Sequence, residues 1–362
     1  IIYNGEIYNY REIKQKFNIK CETNTDTEVL LGLYEKIGYK VLDYIRGIFA
    51  FCIYDMKKKQ LFLARDHLGV KPIYYYNIDK KFAFSSEIKP LLITDFEKQL
   101  NTCALRCYLS RRFSQHPDTL FKNIKKLKQG HFLVYDIVQN KLKISKYWST
   151  NFSKSNPIKG EQLHNIFKET VKAQMVSDRK IGVFLSGGLD SSSVLSVMNN
   201  FTDKINTFSI GFDHSKGSKL EISDAKSVSE EFNTKHHEIQ MTTSLEELPK
   251  IIYHQDDLIC DPTIVPTYYL SKFAKEKKVN VILTGEGADE AFGGYVHYSI
   301  MKKQKLINNI LPNKFMKIVS PLINSTPIPV LDLLFNYPSS IGNEGKNRII
   351  KLLNAKDDNE AY

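Results

Sequence analysis

The feature that most limits how this chain can fold is an apolar run, Ile181–Leu185, that ends in Ser186-Gly187-Gly188 and passes straight into a helical pattern through Ser192–Met198. An apolar strand that stops at glycines and continues as a helix is the first part of a strand–helix–strand unit. The same alternation surrounds it. A helix over Glu161–Val176 precedes it; strand Thr207–Phe212, helix Asp224–Phe232 and strand His237–Met241 follow. Helices between Leu245 and Lys278 and a strand over Asn280–Thr284 complete the series. Alternating strands and helices predict parallel pairing, hence an α/β doubly wound sheet.

Residues 1 to about 147 obey a different rule. Val41–Tyr54, Gln60–Arg65, Pro72–Tyr76 and Lys81–Ser85 are rich in β-formers and separated by short polar turns, with helical spacing at Tyr10–Phe17 and Asp26–Ile37. That is an α+β pattern with mainly antiparallel strands. Asn151–Gly160 has the composition of a linker, so the expected domains are 1–150 and 160–362. Beyond Tyr298 the sequence reads as helical and lysine-rich, broken by prolines.

Bulk properties remove several classes of function. No apolar run reaches eighteen residues, so no membrane span is expected. Five scattered cysteines suit reduced thiols in a cytoplasmic protein better than a disulfide framework. Cys103 and Cys107 lie one helical turn apart, but no second pair stands ready to complete a zinc site. The net charge of +11 raises nucleic acid as a partner. No zinc-finger, RNA-recognition or helix-turn-helix signature accompanies the lysines, so they are read as solvated surface and nucleic acid is not expected.

In open parallel sheets, ligands bind beyond the carboxyl ends of strands, where helix N-termini face anions. Ser186-Gly187-Gly188-Leu189-Asp190-Ser191-Ser192 falls at such a place. Its glycines let backbone amides approach phosphate oxygens, and its serines add hydroxyl donors. Asp190 fits beside phosphate only if it carries Mg²⁺. Neither a Walker loop nor a G-x-G-x-x-G fingerprint occurs in the chain. Without a lysine to grip a transferring γ-phosphate, the loop suits pyrophosphate as leaving group, with attack on the α-phosphate. A second loop, Thr284-Gly285-Glu286-Gly287-Ala288-Asp289-Glu290, follows another expected strand. Asp289 is a candidate to share Mg²⁺ with Asp190, and Glu286 to orient an amine or take its proton.

These two strings, SGGLDSS and TGEGADEAFGGY, resemble the synthetase domain of glutamine-hydrolysing asparagine synthetases. The resemblance implies ATP-dependent formation of β-aspartyl-AMP, release of pyrophosphate and attack by ammonia. It implies ATP contacts at Leu185, Ser186, Gly187, Gly188, Asp190, Ser191, Ser192, Ile210, Thr284 and Gly285, with metal at Asp190 and Asp289. Glu286 matches the acid tied to the adenylate, and Asp190, Glu286 and Asp289 are the expected catalytic set.

Near the start, Tyr3-Asn4-Gly5-Glu6-Ile7-Tyr8-Asn9 resembles the NGEIYN motif of class II glutamine amidotransferase domains, and Arg65–Pro72 resembles their RDxxGxKP scaffold segment. The resemblance implies glutamine binding by Asn4, Gly5, Glu6 and Asp26. The family's nucleophile is an N-terminal cysteine. Here Ile1 opens inside a strand, so the expectation is a chain lacking the nucleophile segment and the C-terminal part. His254–Pro262 resembles the family's DEPxxDP segment near the aspartate site, with Asp257 in place of Glu and Leu258 in place of Pro. The expected partners are therefore aspartate, glutamine and ATP, with a homodimer left open. Two alternatives stand beside this reading. One is an amidotransferase of the same fold acting on a cell-surface sugar acid or a β-lactam precursor; the other is a non-catalytic nucleotide-binding relic.

Overall fold

The computed structural model describes residues 1–151, 157–212, 216–241, 245–295, 298, 301–302, 325–330 and 346–347. The chain divides into two compact units, Ile1–Thr284 and Gly285–Tyr362. Most of the lysine-rich stretch after Tyr298, and part of the linker over Asn151–Gly160, lie outside the described residues.

The chain opens with β1 (Ile2–Ile7), α1 (Tyr10–Lys16), α2 (Asp26–Ile37), β2 (Gly47–Asp55) and β3 (Gln60–Arg65). Next come β4 (Tyr74–Ile78), β5 (Lys81–Ser85), α3 (Ile88–Leu92), α4 (Thr102–Arg111), β6 (Lys125–Lys126), β7 (His131–Asp136) and β8 (Lys141–Lys146). They form a five-stranded antiparallel sheet, β1-β2-β3-β7-β8, and a three-stranded antiparallel sheet, β5-β4-β6. The expected strand over Val41–Tyr54 is shorter than its β-formers suggest, because Gly38–Asp43 forms a 3-10 turn. The expected strand over Pro72–Tyr76 begins at Tyr74, after the proline that cannot donate to a ladder.

The almost continuous burial of β2 follows from its place between two layers. Phe49, Phe51 and Ile53 point into a core shared with Val29, Leu30 and Leu33 of α2, while Ala50 and Cys52 point the other way, toward Ile73 and Tyr75. On the far side of the small sheet, Tyr74 and Tyr76 pack on Ile88 and Leu91 of α3. Helix, sheet, sheet and helix are thus stacked, and alternation along each strand feeds successive cores.

The Arg65–Pro72 segment clamps these layers. Asp66 is buried and accepts hydrogen bonds from the N–H groups of Phe49, Leu68, Gly69, Val70 and Lys71. Arg65 donates to the carbonyls of Gly69, Lys71 and Leu127. Every charge is met by backbone, which is what a scaffold role requires.

The second half contains α5 (Gly160–Gln174), β9 (Ile181–Phe184), α6 (Leu189–Asn199), β10 (Asn206–Phe212), α7 (Lys216–Glu231), β11 (Lys235–Met241), α8 (Leu248–Gln255), α9 (Ile264–Glu276) and β12 (Val281–Leu283). All pairings are parallel and the order is β11-β10-β9-β12. Val183 and Leu185 face Val171 of α5, Leu195 and Met198 of α6 and Ala225 of α7. Phe208 faces Leu270 and Ala274 of α9. Helices cover both faces, so the sheet is doubly wound. In the second unit, α10 (Ala288–Phe292) is a short helix bounded by Gly287 and Gly293, both at positive φ.

Candidate active site

From β9 the chain moves outward through β10 to β11, then returns to place β12 on the other side of β9. This reversal makes the carboxyl end of β9 the switch point, where a crevice opens beyond the sheet. β10 outruns β9: the two pair only through Phe208↔Phe184, and Ser209–Phe212 continues past that edge. Ile210 therefore flanks the crevice from one side. Leu283 pairs with Val183, and Thr284 follows at the same edge on the other side.

The loop that fills this edge is tightly folded. Leu185 N–H bonds the Phe208 carbonyl at 2.9 Å and its side chain is buried in the core, so only its main chain faces the crevice. Ser186 and Ser191 hydroxyls lie 3.1 Å apart, and Ser186 Oγ accepts from Gly188 N–H at 3.3 Å. Gly187 sits at φ 76°, and a Cβ there would meet Asp224 Cβ at 2.6 Å and Ala225 N at 2.7 Å. Only glycine allows both this conformation and this approach to α7.

Helix α6 begins immediately after Gly188, which offers no side-chain cap. Its first N–H groups are left to point out of the sheet edge, as an anion site requires. Ser192 Oγ is buried and has no hydrogen-bond partner among the described residues. Asp190, in the first turn, likewise makes no hydrogen bond or ion pair with a side chain among the described residues, so its carboxylate is available to a cation. An orphan hydroxyl, uncapped amides and a carboxylate together fit a phosphate chain with Mg²⁺. No group of three or more His, Cys, Asp or Glu gathers to hold a metal among the described residues, so phosphate oxygens would supply the remaining ligands.

In the second unit, the Asp289 carbonyl accepts from Gly293 and Gly294 N–H, and a Cβ on Gly294 would collide with the Asp289 carboxylate. Tyr295 donates to Glu290 at 2.7 Å, which holds the Glu290 carboxyl below its usual range. Glu286 is exposed, at the N-terminal side of α10. Asp190 stands in the first unit and Asp289 in the second.

In the N-terminal half, β1 pairs tightly with β2 because a Cβ at Gly5 would strike the Ile48 carbonyl. Asp26, at the start of α2, ties that helix to β1: its Oδ2 accepts from Tyr3 hydroxyl at 2.6 Å and Ile7 N–H at 2.9 Å. Both bonds fall on one oxygen, leaving Oδ1 to receive a ligand. Glu6 is pushed up to about 7, first by burial and then by the charges of Asp26 and Asp178. Asp178 was not singled out in the sequence; nothing in Ser177-Asp178-Arg179 marks it, since only folding brings it near β1. Asn4 lines a cavity of about 690 Å³ between the two sheets, with Ile2, Cys52, Ile73, Phe84 and Ser85.

The DEPxxDP-like segment has a placement that its resemblance did not suggest. Asp256 bonds Ile88 N–H and Lys89 Nζ, and Asp257 pairs with Lys126. Both carboxylates are turned toward the antiparallel N-terminal half.

The glutamine amidotransferase domain profile matches residues 1–148, and the asparagine synthase profile matches residues 162–346. A protein of Methanocaldococcus jannaschii provisionally named asparagine synthetase (glutamine-hydrolysing) 2 is 41% identical over 331 residues, covering 88% of this chain and 63% of that protein. Asparagine synthetase 1 of Bacillus subtilis is 36% identical, covering 82% of this chain and 48% of that protein. Asparagine synthetase 2 of Oryza sativa is 31% identical, with the same two coverages of 82% and 48%. The chain thus spans from about half to under two thirds of these relatives. With its antiparallel amidotransferase layers and its parallel sheet ending in the Ser186–Ser192 loop, the chain belongs to the asparagine synthase family, carrying a glutamine amidotransferase domain ahead of the synthase domain.

Proposed function

We propose that the whole protein is a cytoplasmic ligase that makes asparagine from aspartate, ATP and glutamine. The observation that carries this reading is the uncapped N-terminus of α6 at the switch point, with Ser192 Oγ buried and unpaired among the described residues. Such a site is built for an anion that contributes acceptors.

In this reading residues 1–150 form the glutamine-using domain and residues 160–362 the ATP-using domain. The amides and hydroxyls of Ser186–Ser192 hold the β- and γ-phosphates as a leaving group. The aspartate side-chain carboxylate attacks the α-phosphorus, forming an acyl-adenylate and releasing pyrophosphate. A carboxylate cannot expel oxide, and conversion to the mixed anhydride gives it AMP as a leaving group. The resemblance assigns Mg²⁺ to Asp190 and Asp289, and the ion would neutralise the charge that grows on pyrophosphate. Leu185 main chain and Ile210 flank the adenosine, and Thr284 and Gly285 supply further ATP contacts. Ammonia then attacks the acyl carbon, AMP departs, and Glu286 receives the proton of the attacking amine. Asn4 and Gly5 hold the glutamine amide, while Asp26 Oδ1 and Glu6 receive its ammonium.

The test is product analysis on the full-length protein. AMP and pyrophosphate should appear in equal amounts with asparagine, and Asp190→Asn or Glu286→Gln should remove AMP formation while glutamine hydrolysis persists. ADP and phosphate in their place would refute the mechanism.

A further inference from the structure

We propose that Asp256 and Asp257 form, with Lys89 and Lys126, a latch that couples the two half-reactions by fixing the amidotransferase layers against the synthetase sheet. The inference rests on the function proposed above, but the geometry that suggests it is independent of that function.

Consecutive side chains on a helix or strand diverge, so two neighbouring carboxylates rarely serve one surface. Here α8 ends at Asp256, whose backbone takes φ 65° and ψ −59°. This is an uncommon conformation for a non-glycine residue, held only where surrounding contacts enforce it. The turn directs both acids to the same side. Asp256 accepts from Ile88 N–H at 2.5 Å and Lys89 N–H at 3.3 Å, and so caps the N-terminus of α3 from the other half of the chain. Lys89 Nζ reaches it at 2.8 Å and the Tyr253 carbonyl at 2.9 Å. Asp257 is buried, pairs with Lys126 and lies 3.5 Å from Ser114 Oγ; Lys126 also bonds Ser114 at 3.2 Å. Just beyond, Phe113 and Ile259 make an antiparallel bridge, and Cys260 N–H bonds the Arg112 carbonyl at 2.7 Å.

Position in the chain gives these contacts their consequence. Upstream of α3, Ser85, Ser86 and Glu87 line the cavity that Asn4 also lines. Downstream of Asp257, Asp261 accepts from Thr263 at the start of α9, which leads through β12 into Thr284 and Gly285. One short segment therefore joins the wall of the glutamine-side cavity to the element that delivers the second ATP loop. Ammonia freed on one side is used on the other, so slack here would let it escape to water.

The experiment uses the full-length protein with Lys126→Met, Lys89→Met and the exchange Lys126→Asp with Asp257→Lys. Two rates and a ratio are read: glutamine hydrolysis, pyrophosphate release with ammonium as donor, and glutamate formed per pyrophosphate with glutamine as donor. The expected result is that the first two rates hold within about twofold while the glutamate-to-pyrophosphate ratio rises at least about fivefold, as loss of a coupling free energy demands. The exchange should bring the ratio back toward that of the unaltered protein. A merely structural role would lower glutamine hydrolysis and pyrophosphate release together, and that outcome overturns the proposal; so does an unchanged ratio in a folded Lys126→Met protein. Lys89 is partly exposed, so its variant keeps the test alive if loss of Lys126 prevents folding. If the unaltered protein releases no pyrophosphate, the functional reading fails by itself. The latch is then judged by calorimetry: one unfolding transition should split into two in Lys126→Met, and a single transition would refute it.

Discussion

Replacing Ser192 with alanine should make the ligand-free protein more stable and its nucleotide binding weaker, two changes of opposite sign from one hydroxyl. Ser192 Oγ is buried in α6 without a partner among the described residues. A buried donor left unsatisfied costs roughly 1–3 kcal/mol, and alanine is favoured over serine inside a helix by about 0.5 kcal/mol. Taking the low end of the first figure, Ser192→Ala should stabilise the free protein by about 1.5 kcal/mol, a rise of roughly 3–6 °C in Tm for a unit of this size. With ATP bound, the same hydroxyl would donate to a charged phosphate oxygen, an interaction of roughly 1.5–3 kcal/mol. Its loss should weaken binding roughly 10- to 150-fold. Thermal unfolding without ligand and titration calorimetry with a non-hydrolysable ATP analogue read the two effects separately. A fall in Tm would show that the hydroxyl is already satisfied in the free protein. An unchanged affinity would show that it does not meet phosphate, and the loop would lose its strongest structural support as an anion site.

The other predictions concern the loop's backbone and two titrating groups. Gly187→Ala places a Cβ against Asp224 and Ala225 at positive φ, so the loop must move; stability should fall by about 2 kcal/mol and nucleotide affinity at least tenfold, measured by the same two methods. Glu6 holds a proton up to about 7 in the folded state, against 4.5 ordinarily, so its contribution is favourable at low pH and lost as pH rises through 7. Glu6→Gln should flatten that loss, about 1 kcal/mol between pH 5 and 8 once screening of a half-exposed carboxyl is allowed for. A bound ammonium beside Glu6 should flatten it too. His116 behaves in the opposite sense: burial, followed by the charges of Lys126, Arg65 and Lys128, lowers it to about 4. Its contribution is present above pH 6.5 and lost as pH falls toward 4, so His116→Asn should remove about 1 kcal/mol of acid destabilisation, after screening, in denaturant titrations at pH 7 and 5.

The parts of the fold legible in the sequence were those whose periodicity is set by one burial environment. The α/β half was readable because strands such as Ile181–Phe184 are short, apolar and bounded by glycine or polar turns. Helix α6 begins at Leu189, earlier than the pattern through Ser192–Met198 suggests, since its first turn is polar and faces the crevice. Strand β8, Lys-Leu-Lys-Ile-Ser-Lys, is largely exposed at a sheet edge, and its lysines mask a two-residue period. Helix α3 has only five residues and takes its cap from Asp256, 168 positions away, so no local signal announces it. The phosphate loop was legible for the opposite reason: glycine at positive φ, hydroxyls and helix start are all contiguous in sequence. Asp178 near Glu6 and Lys126 on Asp257 depend on folding and could not be read.

Several acids stand in family-like strings, and the string alone does not assign their work. What decides is how much of each carboxylate's hydrogen-bonding capacity the protein itself consumes. Asp66 accepts from five backbone N–H groups and has nothing left to offer a ligand. Asp257 spends its charge on Lys126, and separating such a buried pair costs about 3–5 kcal/mol, so ligand binding there would compete with the fold. Asp26 has one oxygen committed to Tyr3 and Ile7 and one turned to a ligand, which suits a residue that shapes a strand and also binds. Asp190 stands in the first turn of an uncapped helix, where the helix dipole favours a carboxylate by roughly 0.3–1 kcal/mol, and it spends neither oxygen on a side chain among the described residues, so both are open to a cation. Ranking these acids by unspent capacity separates scaffold from latch and latch from site, and it ranks Asp190 first among those of the first unit.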